Sequence, residues 1–250
     1  MTNEKKKEGI KEKYLTSIFL KRNPITKKQF DLNTKTYFLN YGPYIPKKLN
    51  IRILDIGCGI GQFLYALTIK GYHNFIGIDV SSQMISFIKN LRKPELNHVF
   101  EILSKRVLKA DAFEFLERNE DKFDLIVAND IIEHIEKRRI LDFFKLVRDN
   151  LKENGIFITK TVNMTNLVSN MLLFDDFTHE YGFTNLSLTQ VYLLAGFKNI
   201  RIKQFVAKKP RLITKILRKI TLKFISELFG VKEIKSWSPV IFGIGVKNIK

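Results

Sequence analysis

The run Ile51-Arg-Ile-Leu-Asp-Ile-Gly-Cys-Gly-Ile-Gly61 constrains this 250-residue chain more than any other stretch. A β-branched segment that breaks into alternating glycines and then a helical pattern reads as the first βα turn of a doubly wound sheet, where glycine lets the backbone approach a ligand closely. Eighteen residues past Gly61, a second apolar run, Phe75-Ile-Gly-Ile-Asp79, ends on an acidic residue. A nucleotide-like cofactor is implied.

The glycines are Gly57, Gly59 and Gly61, so the spacing is G-x-G-x-G, and the third glycine position of the dinucleotide fingerprint falls on Gln62. Asp55 stands just before the turn. There a carboxylate repels a pyrophosphate and attracts a ligand that carries a sulfonium and an ammonium. The residues therefore favour S-adenosylmethionine over NAD.

The length suits one well-buried α/β domain with appendages. The single cysteine, Cys58, excludes an intrachain disulfide and a Cys-based zinc cluster, and suits a reducing, cytoplasmic setting. The lysine- and glutamate-rich start has no apolar core of a leader, and no later run reaches 18 uninterrupted apolar residues, so neither secretion nor a membrane span is expected. The net charge of +18 is uneven: +8 over residues 1–50, −2 over 51–197 and +12 over 198–250. The expected catalytic core is nearly neutral, so the charge belongs to the flanks or to a lysine-rich composition rather than to the cofactor turn.

Periodicity predicts strands at 51–56, 74–79, 106–110, 123–129 and 155–160, with helices at 61–70, 82–92, 112–119 and 137–151. One or two helices are expected between Tyr14 and Asn40, a further helix at 187–195, and strands at 198–206 and 239–246. The alternation implies a mostly parallel, Rossmann-like seven-stranded sheet with helices on both faces and ligands at the carboxyl ends of its strands. Residues 1–50 form a basic tail and helical cap, and 51–250 the catalytic domain. Within the latter, 161–186 is a connection on the ligand side and 210–235 an amphipathic insertion before the last strand.

Four ordered elements at strand ends, Leu54-Asp-Ile-Gly-Cys-Gly-x-Gly61, Asp79, Ala110-Asp-Ala112 and Phe123-Asp-Leu-Ile-Val-Ala-Asn-Asp-Ile-Ile-Glu-His134, together resemble class I S-adenosylmethionine-dependent methyltransferases over roughly 51–202. The pieces Asp176-Phe-Thr-His-Glu-Tyr-Gly-Phe-Thr184 and Leu193-Leu-Ala-Gly-Phe197 look like bacterial members that act on small molecules or surface glycans. The resemblance implies that the Gly57–Gly61 backbone passes the methionine part of the cofactor while Asp55 orders its ammonium group. It implies that Asp79 accepts from the ribose hydroxyls, Asp111 from the adenine amino group, and that the Ala112 N–H meets a ring nitrogen. Asn129 would lie beside the methyl donor.

Cys58 is expected to pack rather than to act as a nucleophile, which removes covalent pyrimidine C5 methylation. Asn129-Asp-Ile-Ile is not the Asn-Pro-Pro-Tyr type found where amide or exocyclic nitrogens are methylated. Asp130, Glu133 and His134 resemble the Glu-x-x-Glu-His spacing of certain methyltransferases that hold a divalent metal, with His179 as a further ligand. A Glu-His pair is also widespread in members with no known metal, so the site is read as metal-free, with His134 and His179 as catalytic residues acting as base or hydrogen-bond donor.

Residues 211–229 carry Leu212, Ile213, Ile216, Leu217, Ile220 and Phe224 on one helical face and Arg211, Lys215, Arg218 and Lys219 on the other. The leading expectation is a helix docked on its own domain or on a second subunit, and the next is peripheral contact with an anionic membrane. O-methylation of a small molecule or of a sugar- or lipid-linked intermediate is the first functional reading. An RNA methyltransferase that uses the basic ends is the second, and a non-catalytic S-adenosylmethionine-binding regulator the third.

Overall fold

The computed structural model describes residues 24–166, 168–207, 211–230 and 237–248. The expected helix ahead of Pro24 lies outside the described residues. The first described helix, α1 (Lys27–Asn40), starts on Thr26, whose side chain accepts from the Gln29 N–H. The alternating core follows as β1 (Ile53–Ile56), α2 (Gln62–Ile69), β2 (Phe75–Asp79), α3 (Ser82–Asn90), α4 (Asn97–Ser104), β3 (Val107–Lys109), α5 (Ala112–Arg118) and β4 (Phe123–Asn129). Two 3₁₀ turns, Ile132–His134 and Lys137–Arg139, lead to α6 (Ile140–Asn150) and β5 (Leu151–Val162). The chain continues through α7 (Ser169–Phe174), α8 (Asn185–Leu194), β6 (Lys198–Gln204), α9 (Leu212–Leu228) and β7 (Val240–Val246).

The seven strands are ordered β3-β2-β1-β4-β5-β7-β6. Pairing is parallel from β3 through β5. It is antiparallel where β7 joins β5 and β6. All four residues of β1 are buried, as a central strand covered on both faces requires. One face of the sheet packs on α2–α4 through Phe63, Leu64, Ile88 and Phe100. The other packs on α6 and α8 through Phe143, Phe144, Phe157, Tyr192 and Phe197.

The sequence expectations differ from the structure in four places. The segment between α3 and β3 holds a helix, α4, whose Val99, Phe100 and Leu103 are buried. The expected helix at 137–151 opens as 3₁₀ and yields to strand at Leu151. Asn154 lies within the strand in the left-handed region (φ 60°), between the expected helix end at 151 and the expected strand start at 155. The expected connection at 161–186 contains the short helix α7. Finally, α9 buries none of its residues, so the expectation that it docks on its own domain is not met among the described residues.

Two features place the site. The Asn40 side chain donates to the Val206 carbonyl at 2.9 Å and accepts from its N–H at 3.0 Å, pinning the end of α1 beside the end of β6. Because β6 runs parallel to β5, with Gln204 opposite Ile241 and Val162 opposite Val240, the 205–239 insertion leaves the sheet at the rim where β1, β4 and β5 end.

Candidate active site

The glycine turn is shaped by conformations that favour glycine: Gly57 and Gly59 have φ of 69° and 53°. A Cβ on Gly57 would lie 1.9 Å from the Ile131 side chain, whereas one on Gly59 would meet nothing within 4 Å. Gly57 is thus closed by packing and Gly59 faces open space. Gly61 supplies the N-cap position of α2. Cys58 is buried, and burial holds its thiol well above its ordinary range, which suits the packing role.

The Gly59 N–H donates to Asp79 Oδ2 at 2.9 Å and the Ser81 N–H to Asp79 Oδ1 at 2.8 Å, so the carboxylate at the end of β2 is oriented by one amide on each oxygen. Asp55 is 1% exposed, and its Oδ1 is buried without a hydrogen-bond partner. Burial, reinforced by the Asp79 charge, pushes its carboxyl well above the usual range. A buried orphan acceptor beside an open glycine fits a cationic ligand group, and the ammonium of S-adenosylmethionine supplies one. Asp111 caps α5, with Oδ1 accepting from the Phe113 and Glu114 N–H groups at 2.8 and 3.2 Å, and Ala112 begins that helix. The cap engages one oxygen of the carboxylate for which an adenine contact is expected.

At the end of β4, Asn129 Oδ1 accepts from the buried Tyr41 hydroxyl at 2.7 Å. The aromatic side chains of Tyr37, Tyr41, Phe63, Phe205 and Phe242 pack around this contact. Next to it, Asp130 adopts φ 55° and pairs with Lys160 at 2.5 Å, and the ammonium also lies 5.2 Å from the Phe205 ring. Burial pulls the Lys160 pKa down, but the Asp130 charge and other anions outweigh it and the net direction is up. Burial, with Asp130 second, pushes the Glu133 carboxyl up to about 8.

The Glu133 carbonyl accepts from the Glu180 and Tyr181 N–H groups at 2.7 and 3.2 Å, fastening the 176–181 segment over the strand ends. His134 and His179 thereby meet with ring centroids 4.6 Å apart. His134 Nδ1 is 2.8 Å from Thr178 Oγ1, and His179 Nδ1 donates to the Leu173 carbonyl at 2.9 Å. Burial, aided by His179, pulls the His134 pKa down to about 4, so its imidazole is neutral at neutral pH. Asp176, which sequence reasoning passed over as a rim carboxylate, holds this cluster together by accepting from the Thr178 N–H and hydroxyl at 2.9 and 2.7 Å. Its only sequence signal is the position three residues before His179.

Residues 31–202 match the family model described as a methyltransferase domain. The chain belongs to that family. It is 34% identical over 118 residues to the ubiquinone biosynthesis O-methyltransferase of Pelagibacter ubique, covering 46% of this chain and 44% of the relative. It is 27% identical over 148 residues to the cyclopropane-fatty-acyl-phospholipid synthase of Escherichia coli, covering 59% of this chain and 35% of the relative. The chain thus spans less than half the length of each of these two curated relatives. A solved S-adenosylmethionine-dependent methyltransferase from Archaeoglobus fulgidus shares the fold, with a TM-score of 0.67 at 22% identity over 92% of this chain and 98% of that one. The fold is that of the class I methyltransferases, and the cofactor of the family is S-adenosylmethionine.

Proposed function

We propose that the protein methylates an oxygen of a small or lipid-linked acceptor. S-adenosylmethionine supplies a methyl group already activated on sulfur, so the work left to the protein is alignment, exclusion of water and handling of the acceptor proton. Asp55 and the Gly57–Gly61 turn hold the methionine end, Asp79 the ribose, and Asp111 with the Ala112 N–H the adenine. Asn129, braced by Tyr41, borders the methyl group.

The observation that supports an oxygen acceptor is the His134–His179 pair, brought together beside the end of β4 by the 176–181 segment, with both Nδ1 atoms engaged and ring centroids 4.6 Å apart. A neutral imidazole accepts the proton that a hydroxyl sheds as it is methylated. A lipid-linked acceptor is supported by the rim itself. The insertion carrying α9 leaves the sheet on the side where β4 and β5 end, and Leu212, Ile213, Ile216, Ile220 and Phe224 are all exposed on it. Met171, Phe174 and Phe177 of the 161–186 connection are exposed on the same side, Phe177 at 90%. The names of two relatives, an O-methyltransferase of ubiquinone biosynthesis and a phospholipid synthase, point to lipid chemistry in those proteins.

The test is methyl transfer from isotopically labelled S-adenosylmethionine to phenolic, sugar and lipid-linked hydroxyl acceptors, with the product identified by mass spectrometry. Label on an acceptor oxygen supports the reading. Label only on transcribed RNA, lost as salt is raised, overturns it in favour of an RNA substrate. Cofactor binding without label on any acceptor favours a regulator.

A further inference from the structure

We propose that His134, Asp176 and His179 form a three-ligand site for a first-row divalent metal ion, with zinc as its simplest occupant. The inference rests on the O-methyltransferase reading of the same site and deepens it: without metal the bare ring nitrogens take the acceptor's proton, and with an ion bound they hold the ion that makes the hydroxyl shed it. It also moves the ligand set away from the Asp130-x-x-Glu133-His134 spacing, since Asp130 is engaged by Lys160.

The hydrogen-bond polarity decides which atoms are free. Thr178 Oγ1 donates its one proton to Asp176 Oδ1 at 2.7 Å, so its 2.8 Å contact with His134 Nδ1 requires the imidazole to donate. The Leu173 carbonyl only accepts, so His179 Nδ1 also carries a proton. Both rings are left with a bare Nε2. Asp176 Oδ1 already takes two donors, while Oδ2 is buried without any partner. One donor atom from each of the three residues lies within 4.8 Å of the others, and no other such set of His, Cys, Asp or Glu occurs among the described residues.

Lone pairs crowded together without a proton between them attract a cation. Histidines that donate Nδ1–H to a carbonyl and to a carboxylate-linked hydroxyl are oriented as metal-bound histidines are. Bonds of about 2.0–2.2 Å place ligand atoms roughly 3–4 Å apart, against a limit of 4.8 Å for one donor atom of each residue here. Two imidazoles and one carboxylate suit zinc or another borderline ion better than magnesium, which prefers oxygen.

Three protein ligands leave a position open. A bound ion would lower the pKa of an acceptor hydroxyl entering there, so that its proton passes to water while the oxygen takes the methyl group from the sulfonium and the neutral thioether leaves.

The test uses the full chain after treatment with chelator. Zinc is titrated calorimetrically and cobalt by its visible spectrum, and S-adenosylmethionine is titrated into the same metal-free sample. The expected result is one equivalent of zinc and a cobalt spectrum of nitrogen–oxygen ligation. Asp176→Asn, which keeps the bonds to Thr178, and His179→Ala should each weaken metal binding at least roughly 100-fold. His98→Ala, remote from the cluster, should leave it unchanged. Intact S-adenosylmethionine binding reports that each variant is folded. Absence of stoichiometric zinc, or zinc affinity in Asp176→Asn and His179→Ala equal to that of the unaltered chain, overturns the metal site. If S-adenosylmethionine binds and zinc does not, only this inference falls. If S-adenosylmethionine itself fails to bind, the methyltransferase reading beneath it falls.

Discussion

The Tyr41 hydroxyl reaches across 88 residues of sequence to donate to Asn129 Oδ1 at 2.7 Å, closing the N-terminal helix onto the end of the fourth strand. Tyr41 is fully buried and Asn129 is half-buried. Tyr41→Phe should therefore destabilise the protein by about 1 kcal/mol in urea unfolding, the net worth of a hydrogen bond to a half-buried acceptor. It should also lower the rate of methyl transfer, because Asn129 loses its orientation. An unchanged unfolding midpoint together with an unchanged rate would show that this contact does not brace the site.

Asp79 is fixed by two amides, so its contribution to a ligand needs little reorganisation. Asp79→Ala should weaken S-adenosylmethionine binding by about 2–4 kcal/mol, the loss of two charge-assisted hydrogen bonds to hydroxyls. Calorimetry measures this directly. Affinity equal to that of the unaltered protein would refute the ribose assignment.

The turn glycines should separate packing from ligand approach. Gly57→Ala forces a Cβ to 1.9 Å from Ile131 at φ 69°, and should lower the thermal unfolding temperature sharply. Gly59→Ala carries only the backbone cost of φ 53°, about 1–2 kcal/mol, because nothing lies within 4 Å of the added carbon. Its main effect should be on cofactor affinity. Equal thermal shifts for the two variants would contradict the assignment of Gly59 to the ligand side.

These contacts show which parts of the molecule were legible in the sequence. The β1 turn, Asp79 and the parallel order were readable because local chemistry and global fold agree there: buried β-branched strands, glycines at positive φ, acidic residues at strand ends. Helix α4 was missed because it begins three residues after Pro94 and is only eight residues long, too short for its period to emerge. The site was half legible. His134 and His179 were marked by residue type, but their meeting depends on the Glu133 carbonyl holding the Glu180 and Tyr181 amides, a backbone contact with no side-chain signature. Asp176 was not singled out for the same reason.

Asp55 sets a pH dependence with a definite sign. Burial and Asp79 raise its carboxyl in the folded protein above the unfolded value of 3.8. Between those two values the folded state holds the proton and the unfolded state has lost it, so stability falls as pH rises and levels off above the folded value. Asp55→Asn removes this slope. Without cofactor the variant should be more stable than the unaltered protein near neutral pH by about 1–3 kcal/mol, since a carboxyl that ionises in the unfolded chain but not readily in the core is gone. It should nonetheless bind S-adenosylmethionine more weakly. Denaturant unfolding at a series of pH values, with and without ligand, checks both halves. A variant that is less stable at every pH would mean that Asp55 has a structural partner in the folded state.

The amphipathic helix α9 gives the last prediction. Its apolar face is exposed, with Ile220 at 60% and Phe224 at 62%, while Arg211, Lys215, Arg218 and Lys219 supply the opposite charge to an anionic bilayer. Each cation near such a surface contributes about 1 kcal/mol, so the four together provide a few kcal/mol before any apolar residue enters the lipid. Sedimentation with vesicles should show binding that rises with anionic lipid content and falls with salt. Ile216→Asp with Ile220→Asp should release the protein from vesicles and lower turnover of a bilayer-embedded acceptor while sparing a water-soluble analogue. Such a split separates a loading surface from a catalytic defect, because the substituted residues lie on the insertion and not among the groups that hold the cofactor. Binding indifferent to lipid charge, with apolar residues that protect one another in a dimer, would assign the face to a second copy of the chain.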